Sequence, residues 1–128
     1  MAFYEKGNGQ DYINTAIVLV SASPLITLET KTPVHIQNGM VCGAIRYEDI
    51  AKGKIVFDGR TLPAKEAAPM LDRLAQNLSL MMNKDICTAY DVTPTGRVAK
   101  LFINGAYASG DDQKVLWVKP SDGYRVAP

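Results

Sequence analysis

The chain is poor in the residues from which active sites are usually assembled. Its 128 residues hold one histidine, two cysteines and one tryptophan. One histidine cannot complete a zinc set, and neither Cys42 nor Cys87 has a CxxC neighbour. Fourteen basic residues face thirteen acidic ones, so the net charge of +1 supplies no field to steer nucleic acid or an anionic membrane. No apolar run approaches the roughly 18 residues of a membrane span. The opening MAFYEKGNGQDY lacks the basic flank, apolar run and cleavage site of a signal peptide. The glycines form neither GxGxxG nor GxxxxGK[ST], so those phosphate cradles are not supported. These absences lead to the expectation of a cytoplasmic protein with no cofactor, no metal and no membrane partner. In such a compartment the two cysteines are expected as buried free thiols rather than a disulfide.

What is present suits a single globular domain spanning 1–128. Hydrophobic residues make up 47% and charged residues 21%. A chain of this length buries about two thirds of its unfolded surface, enough for its own core.

One stretch reads as a long helix, residues 61–83, TLPAKEAAPMLDRLAQNLSLMMN. Met70, Leu71, Leu74, Leu78, Met81 and Met82 recur at offsets of three and four, so they share one face. Two starts are open: Thr61 as N-cap with Pro63 in the first turn and a bend at Pro69, or an irregular lead-in over residues 63–68 and a regular helix from near Pro69. The apolar stripe needs a sheet, or another chain, to lie on.

The remainder reads as strands and turns. Residues 1–11 are polar and glycine-bearing, an extended N-terminal arm carrying Phe3 and Tyr4. Residues 12–21, YINTAIVLVS, are apolar and β-branched, the pattern of a strand buried on both faces. Residues 25–30 form the next strand, and a separate one starts at Pro33. Asn38-Gly39 and Asn104-Gly105 each mark a hairpin, because a type I′ turn needs two residues that accept positive φ. Residues 48–53 are a turn-rich connection. Residues 54–57 are a short strand closed by Asp58-Gly59, which leads into the helix. Strands follow at 86–92, 97–103 and 114–119, with a tail from Tyr124. The expected class is α+β: a mainly antiparallel sheet or barrel-like β core with one long amphipathic helix packed on it.

Candidate chemistry is thin. His35 alternates with Val34 and Ile36, with no orienting carboxylate or nucleophile nearby, so a solvent-facing strand residue is the better reading. The acids Glu48, Asp49, Asp111 and Asp112 fall in loops without calcium-loop spacing. Aromatic and basic residues alternate at Arg46 with Tyr47, Lys100 with Phe102, and Trp117 between Lys114 and Lys119, but the core claims such aromatics first and nucleic acid is not an expected partner.

By elimination the expectation is a non-enzymatic assembly or interaction protein. It would be a homo-oligomeric structural or accessory subunit, a virus-like particle being one setting, that binds itself or another protein. Phe3, Tyr4 and Tyr12 at the arm and Tyr124 and Arg125 at the tail are the contact candidates. The alternative is a module that holds a nucleotide-like ligand between subunits. There Arg46, Arg60 and Arg97 would pair phosphate and Tyr90 would stack a base. A third reading, a small enzyme, would use His35 with a loop carboxylate.

Overall fold

The computed structural model describes residues 1–9 and 11–127. It is an α+β fold dominated by antiparallel strands. The strands are β1 (Ala2–Lys6), β2 (Tyr12–Ser21), β3 (Ile26–Gln37), β4 (Met40–Gly43), β5 (Lys54–Phe57), β6 (Arg60–Thr61), β7 (Ile86–Thr93), β8 (Gly96–Ile103), β9 (Ala106–Tyr107) and β10 (Gln113–Val115). The helices are α1 (Tyr47–Ala51) and α2 (Ala64–Asn77).

β3 is shared by two groups of strands. Its first half lies between β2 and β5, giving the order β1-β2-β3-β5-β6. Its last residues pair with β4, from which β4-β7-β8-β10 continues. Among the described residues β1 and β10 do not pair, so the sheet is open and the expected barrel is not closed.

The sequence predicts a new strand at Pro33, yet β3 runs through it. The reason lies in the ladder. Ile17 exchanges both backbone bonds with Met1, at 2.8 and 2.9 Å, so odd-numbered β2 residues bond toward β1 and even-numbered ones toward β3. In β3 the even positions therefore answer β2. Pro33, opposite Ile13, turns its missing N–H to the other side, where β5 has already ended at Lys54 opposite Glu29.

Both Asn-Gly turns form as expected, with positive φ at Asn38 and Gly39 and at Asn104 and Gly105. Asp58-Gly59 does the same and closes the β5–β6 hairpin instead of leading directly into the helix. Other boundaries differ too. The supposed arm is β1, paired with β2 from Ala2↔Ala16 to Lys6↔Tyr12. The connection at 48–53 contains α1. The last strand stops at Val115, and residues 116–119 leave the sheet.

The helix is shorter than its periodicity suggests. α2 has Pro63 as N-cap and ends at Asn77, before a 3-10 turn at Ser79–Met81. Asn and Ser here offer backbone-competing side chains, which favours an end to the helix. Its most buried line is Ala67, Leu71 and Ala75, not the large residues at its C-terminal end, and Leu80 is 83% exposed. Small residues on that line let the helix approach the sheet. It packs, with Ile50 of α1, on Ile26, Leu28 and Ile55, while Met70, Leu74 and Met82 close the margins. No helix among the described residues is long and apolar enough to cross a membrane.

The expected free thiols are also overturned. Cys42 and Cys87 stand opposite each other in the β4–β7 ladder, with Cα atoms 4.0 Å apart, and form a disulfide. Forty-five residues of intervening chain hid the register that brings them together. The expectation of a reducing compartment loses the support it drew from the thiols.

Candidate functional site

The arrangement of the candidate residues separates the readings. Arg46 donates from Nε and a terminal nitrogen to the two Asp49 oxygens, both at 2.7 Å, and also pairs with Glu48 at 2.8 Å. The bonds to Asp49 hold its guanidinium above its ordinary pKa. Asp49 is buried, so this fork satisfies an internal carboxylate and is not waiting for a phosphate. Arg60 lies on β6 beside Glu66 at 3.7 Å, and Arg97 is the second residue of β8. Tyr90 bonds the hydroxyl of Tyr4 at 2.6 Å and packs on Trp117, with ring centroids 5.2 Å apart. Arg46, Arg60 and Tyr90 therefore have partners of their own, while Arg97 lies diagonally from Tyr90 on the neighbouring strand.

The clefts agree. One of about 90 Å³ lies between the helices, beside Tyr47, Leu71 and Asp72. Another, of about 220 Å³, has Lys31, Lys52 and Lys54 facing Glu29 and Asp49. Both are smaller than the roughly 300–1,000 Å³ of typical small-molecule sites. The charges in the larger one are largely compensated within it. His35 is exposed and touches Gln37 at 3.2 Å. Among the described residues no three metal-ligating side chains converge.

The contact candidates divide. Phe3 is exposed on β1, and Tyr124 and Arg125 are exposed on the tail. Tyr12 is half-buried opposite Lys6 and Val34. Tyr4 is committed within the chain, and burial, reinforced by the bond to Tyr90, pushes its phenol well above the usual range. Asn14, opposite Tyr4 in the ladder, keeps a buried Oδ1 without a hydrogen-bond partner, at a local cost of about 1–3 kcal/mol.

The largest departure from an ordinary monomer is in the surface. The accessible area is 8,790 Å². A compact monomer of 13.9 kDa exposes about 6,700 Å² by the usual scaling of area with mass. The surplus is about 2,000 Å², and large apolar side chains contribute to it. In β2, Val18, Leu19 and Val20 are 48%, 40% and 38% exposed. Sequence reading missed their exposure because it assigned this strand to the core on both faces.

Registers show how the first strand group divides its side chains between two faces. Phe3, Thr15 and Lys31 align across β1, β2 and β3, as do Leu19 and Thr27 with Val56 of β5. These odd-numbered β1, β2 and β3 positions define one face, on which Thr15 is buried and Phe3 and Leu19 are exposed. The core residues Ile26, Leu28 and Ile55 lie on the other, where the helices pack on β3 and β5, while Val18 of β2 on that same face stays exposed. Asp49 and Lys52 at α1 share a cleft with Glu29, Lys31 and Lys54 of the first face.

No protein-family model, no curated protein and no solved structure matches this chain.

Proposed function

We propose that this chain is a non-enzymatic assembly protein, a self-associating structural or accessory subunit of a larger particle. The observation that carries the reading is the surplus surface. A stable interface takes about 800 Å² from each partner, so an excess of about 2,000 Å² has room for more than one contact per copy. Exposed apolar side chains on β2 and on the tail give these contacts a driving force. The ligand-binding reading draws no such support, since Arg46 and Arg60 are held by carboxylates and the clefts are small.

Static light scattering on the oxidised chain over a concentration series tests the proposal. The expected mass is a multiple of 13.9 kDa that persists on dilution into the micromolar range. A mass of 13.9 kDa at every concentration would remove self-assembly.

A further inference from the structure

We infer that hydrogen phosphate binds in the cleft beside α1, held by Lys31, Lys52 and Lys54 and by the backbone N–H of Lys31. The site does not depend on self-association.

The cleft exists because β5 is shorter than β3. Leu25 accepts the N–H of Asp58 at 2.8 Å, so the odd-numbered positions along β3 bond toward β5. Glu29 is the last of them to meet that strand, opposite Lys54. The next is Lys31, and a longer β5 in the same register would set Lys52 opposite it. Lys52 instead closes α1, where its N–H turns back to the Glu48 carbonyl at 3.3 Å. The N–H and C=O of Lys31 therefore face the gap, and no loop backbone among the described residues takes the place of the missing strand.

Three ammonium groups line this gap, a cleft of about 220 Å³. The acids beside them are unequally placed. Both oxygens of Asp49 are held by Arg46 at 2.7 Å, and Glu29 stands 4.0 Å from Lys54. Among the described residues Lys31 and Lys52 have no carboxylate within 4.0 Å. Two like charges lining one cleft repel, and an anion between them relieves that repulsion.

Size and chemistry select the ligand. The cleft is smaller than the sites that take drug-sized molecules, and a tetrahedral oxyanion needs far less room. Ammonium groups and a free backbone N–H supply charge-assisted donors to such an ion. Acceptors face the same space, the Lys31 carbonyl and the Glu29 carboxylate. Hydrogen phosphate keeps one O–H at neutral pH and can donate it to either of them. Sulfate and the dianion of a phosphate monoester have no such proton, so they leave an acceptor facing an anion, which costs affinity.

The test is a titration of the oxidised chain with inorganic phosphate at constant ionic strength, followed by amide nuclear magnetic resonance. The Lys31 amide is expected to shift and saturate. Lys31→Met and Lys52→Met keep an apolar stem and remove the charge, and each is expected to weaken binding roughly 10-fold. Both lysines are exposed, so neither change disturbs the fold, and far-UV circular dichroism checks this. Lys114→Met on β10 is the control and is expected to bind phosphate as the wild type does. Sulfate and glycerol phosphate are expected to bind roughly 10-fold more weakly than phosphate. A Lys31 amide that does not shift saturably overturns the site. Equal weakening by Lys114→Met assigns the effect to net charge and overturns it as well. Sulfate binding as tightly as phosphate overturns the choice of hydrogen phosphate. Glycerol phosphate binding as tightly overturns the free ion as ligand in favour of an esterified phosphate group. None of these outcomes bears on whether the chain associates with itself.

Discussion

Gly53→Ala probes how closely α1, α2 and the sheet approach one another. Gly53 sits between α1 and β5. A methyl group there would lie 2.8 Å from Leu28 Cδ1, 2.9 Å from the Ile50 carbonyl oxygen and 3.2 Å from Leu71 Cδ2. Two effects oppose each other. Removing a glycine restricts the unfolded chain and contributes about 0.4–1 kcal/mol of stability where the backbone tolerates it. Overpacking a fitted core costs about 1–3 kcal/mol. The steric term wins here because one obstacle is backbone. The Ile50 oxygen accepts the N–H of Gly53 itself at 2.8 Å and cannot withdraw without weakening that bond. The expected net loss is about 1–2 kcal/mol, which lowers the urea midpoint by about 1 M at a slope typical for this size. Gly110→Ala is the control, since a methyl group there meets nothing within 4 Å, and it is expected to be neutral or slightly stabilising. Adding Leu28→Ala to Gly53→Ala is expected to cost less than the sum of the two changes, since one vacates the space the other needs. A Gly53→Ala midpoint equal to that of wild type would refute the close packing of this seam.

Three further expectations follow from other parts of the fold. Replacing both Cys42 and Cys87 by alanine frees a loop of 45 residues in the unfolded chain. Chain entropy puts this at about 4 kcal/mol, or a fall of about 15 °C in Tm, and an unchanged Tm under non-reducing conditions would contradict the pairing. Tyr4→Phe removes the hydroxyl bonded to Tyr90 and is expected to cost about 1 kcal/mol near pH 8. Because the folded Tyr4 pKa is raised above its unfolded value of about 10, the contribution is intact below about pH 10 and is lost as the pH rises toward the folded value. The urea midpoints of wild type and variant should therefore converge under alkaline conditions, and parallel curves would contradict the assignment. Arg46→Met is expected to lower stability more than Arg60→Met. The first leaves the buried Asp49 carboxylate without its two 2.7 Å bonds, whereas Glu66 beside Arg60 is exposed. Equal urea midpoints would count against it.

What the sequence revealed of the fold was mostly local. Asn38-Gly39 and Asn104-Gly105 announced their hairpins because positive φ at two adjacent residues is a local demand that few residue pairs meet. Residues 12–21 read as a strand from β-branched composition and residues 25–30 from alternation. Pairing across the chain was not legible. Nothing in AFYEK indicates that it lies along β2, and nothing around Cys42 points to Cys87. The helix was placed correctly at its centre but extended at both ends. The apolar residues at Leu78, Met81 and Met82 continue a pattern that the backbone abandons at Asn77.

The contact candidates show the same division. Phe3 could be named from its setting in a polar arm, and it lies exposed on β1. Tyr4, its neighbour, points across the fold to Tyr90, because successive strand residues take opposite faces and β7 approaches only one of them. Leu19 went unnamed because an apolar residue in an apolar strand looks like core. Its exposure, like the greater exposure of Val18 on the opposite face, becomes visible only in the folded chain, where the helices pack on β3 and β5 and not on this end of β2.

The central claim, that the chain associates with itself through exposed apolar side chains, is tested most directly by hydroxyl-radical footprinting of the wild-type chain at low and high protein concentration. The account predicts that modification of at least one group among Phe3, Val18 and Leu19, Leu80, and Leu116 and Trp117 falls as concentration rises. Equal modification of all of them at both concentrations would contradict it.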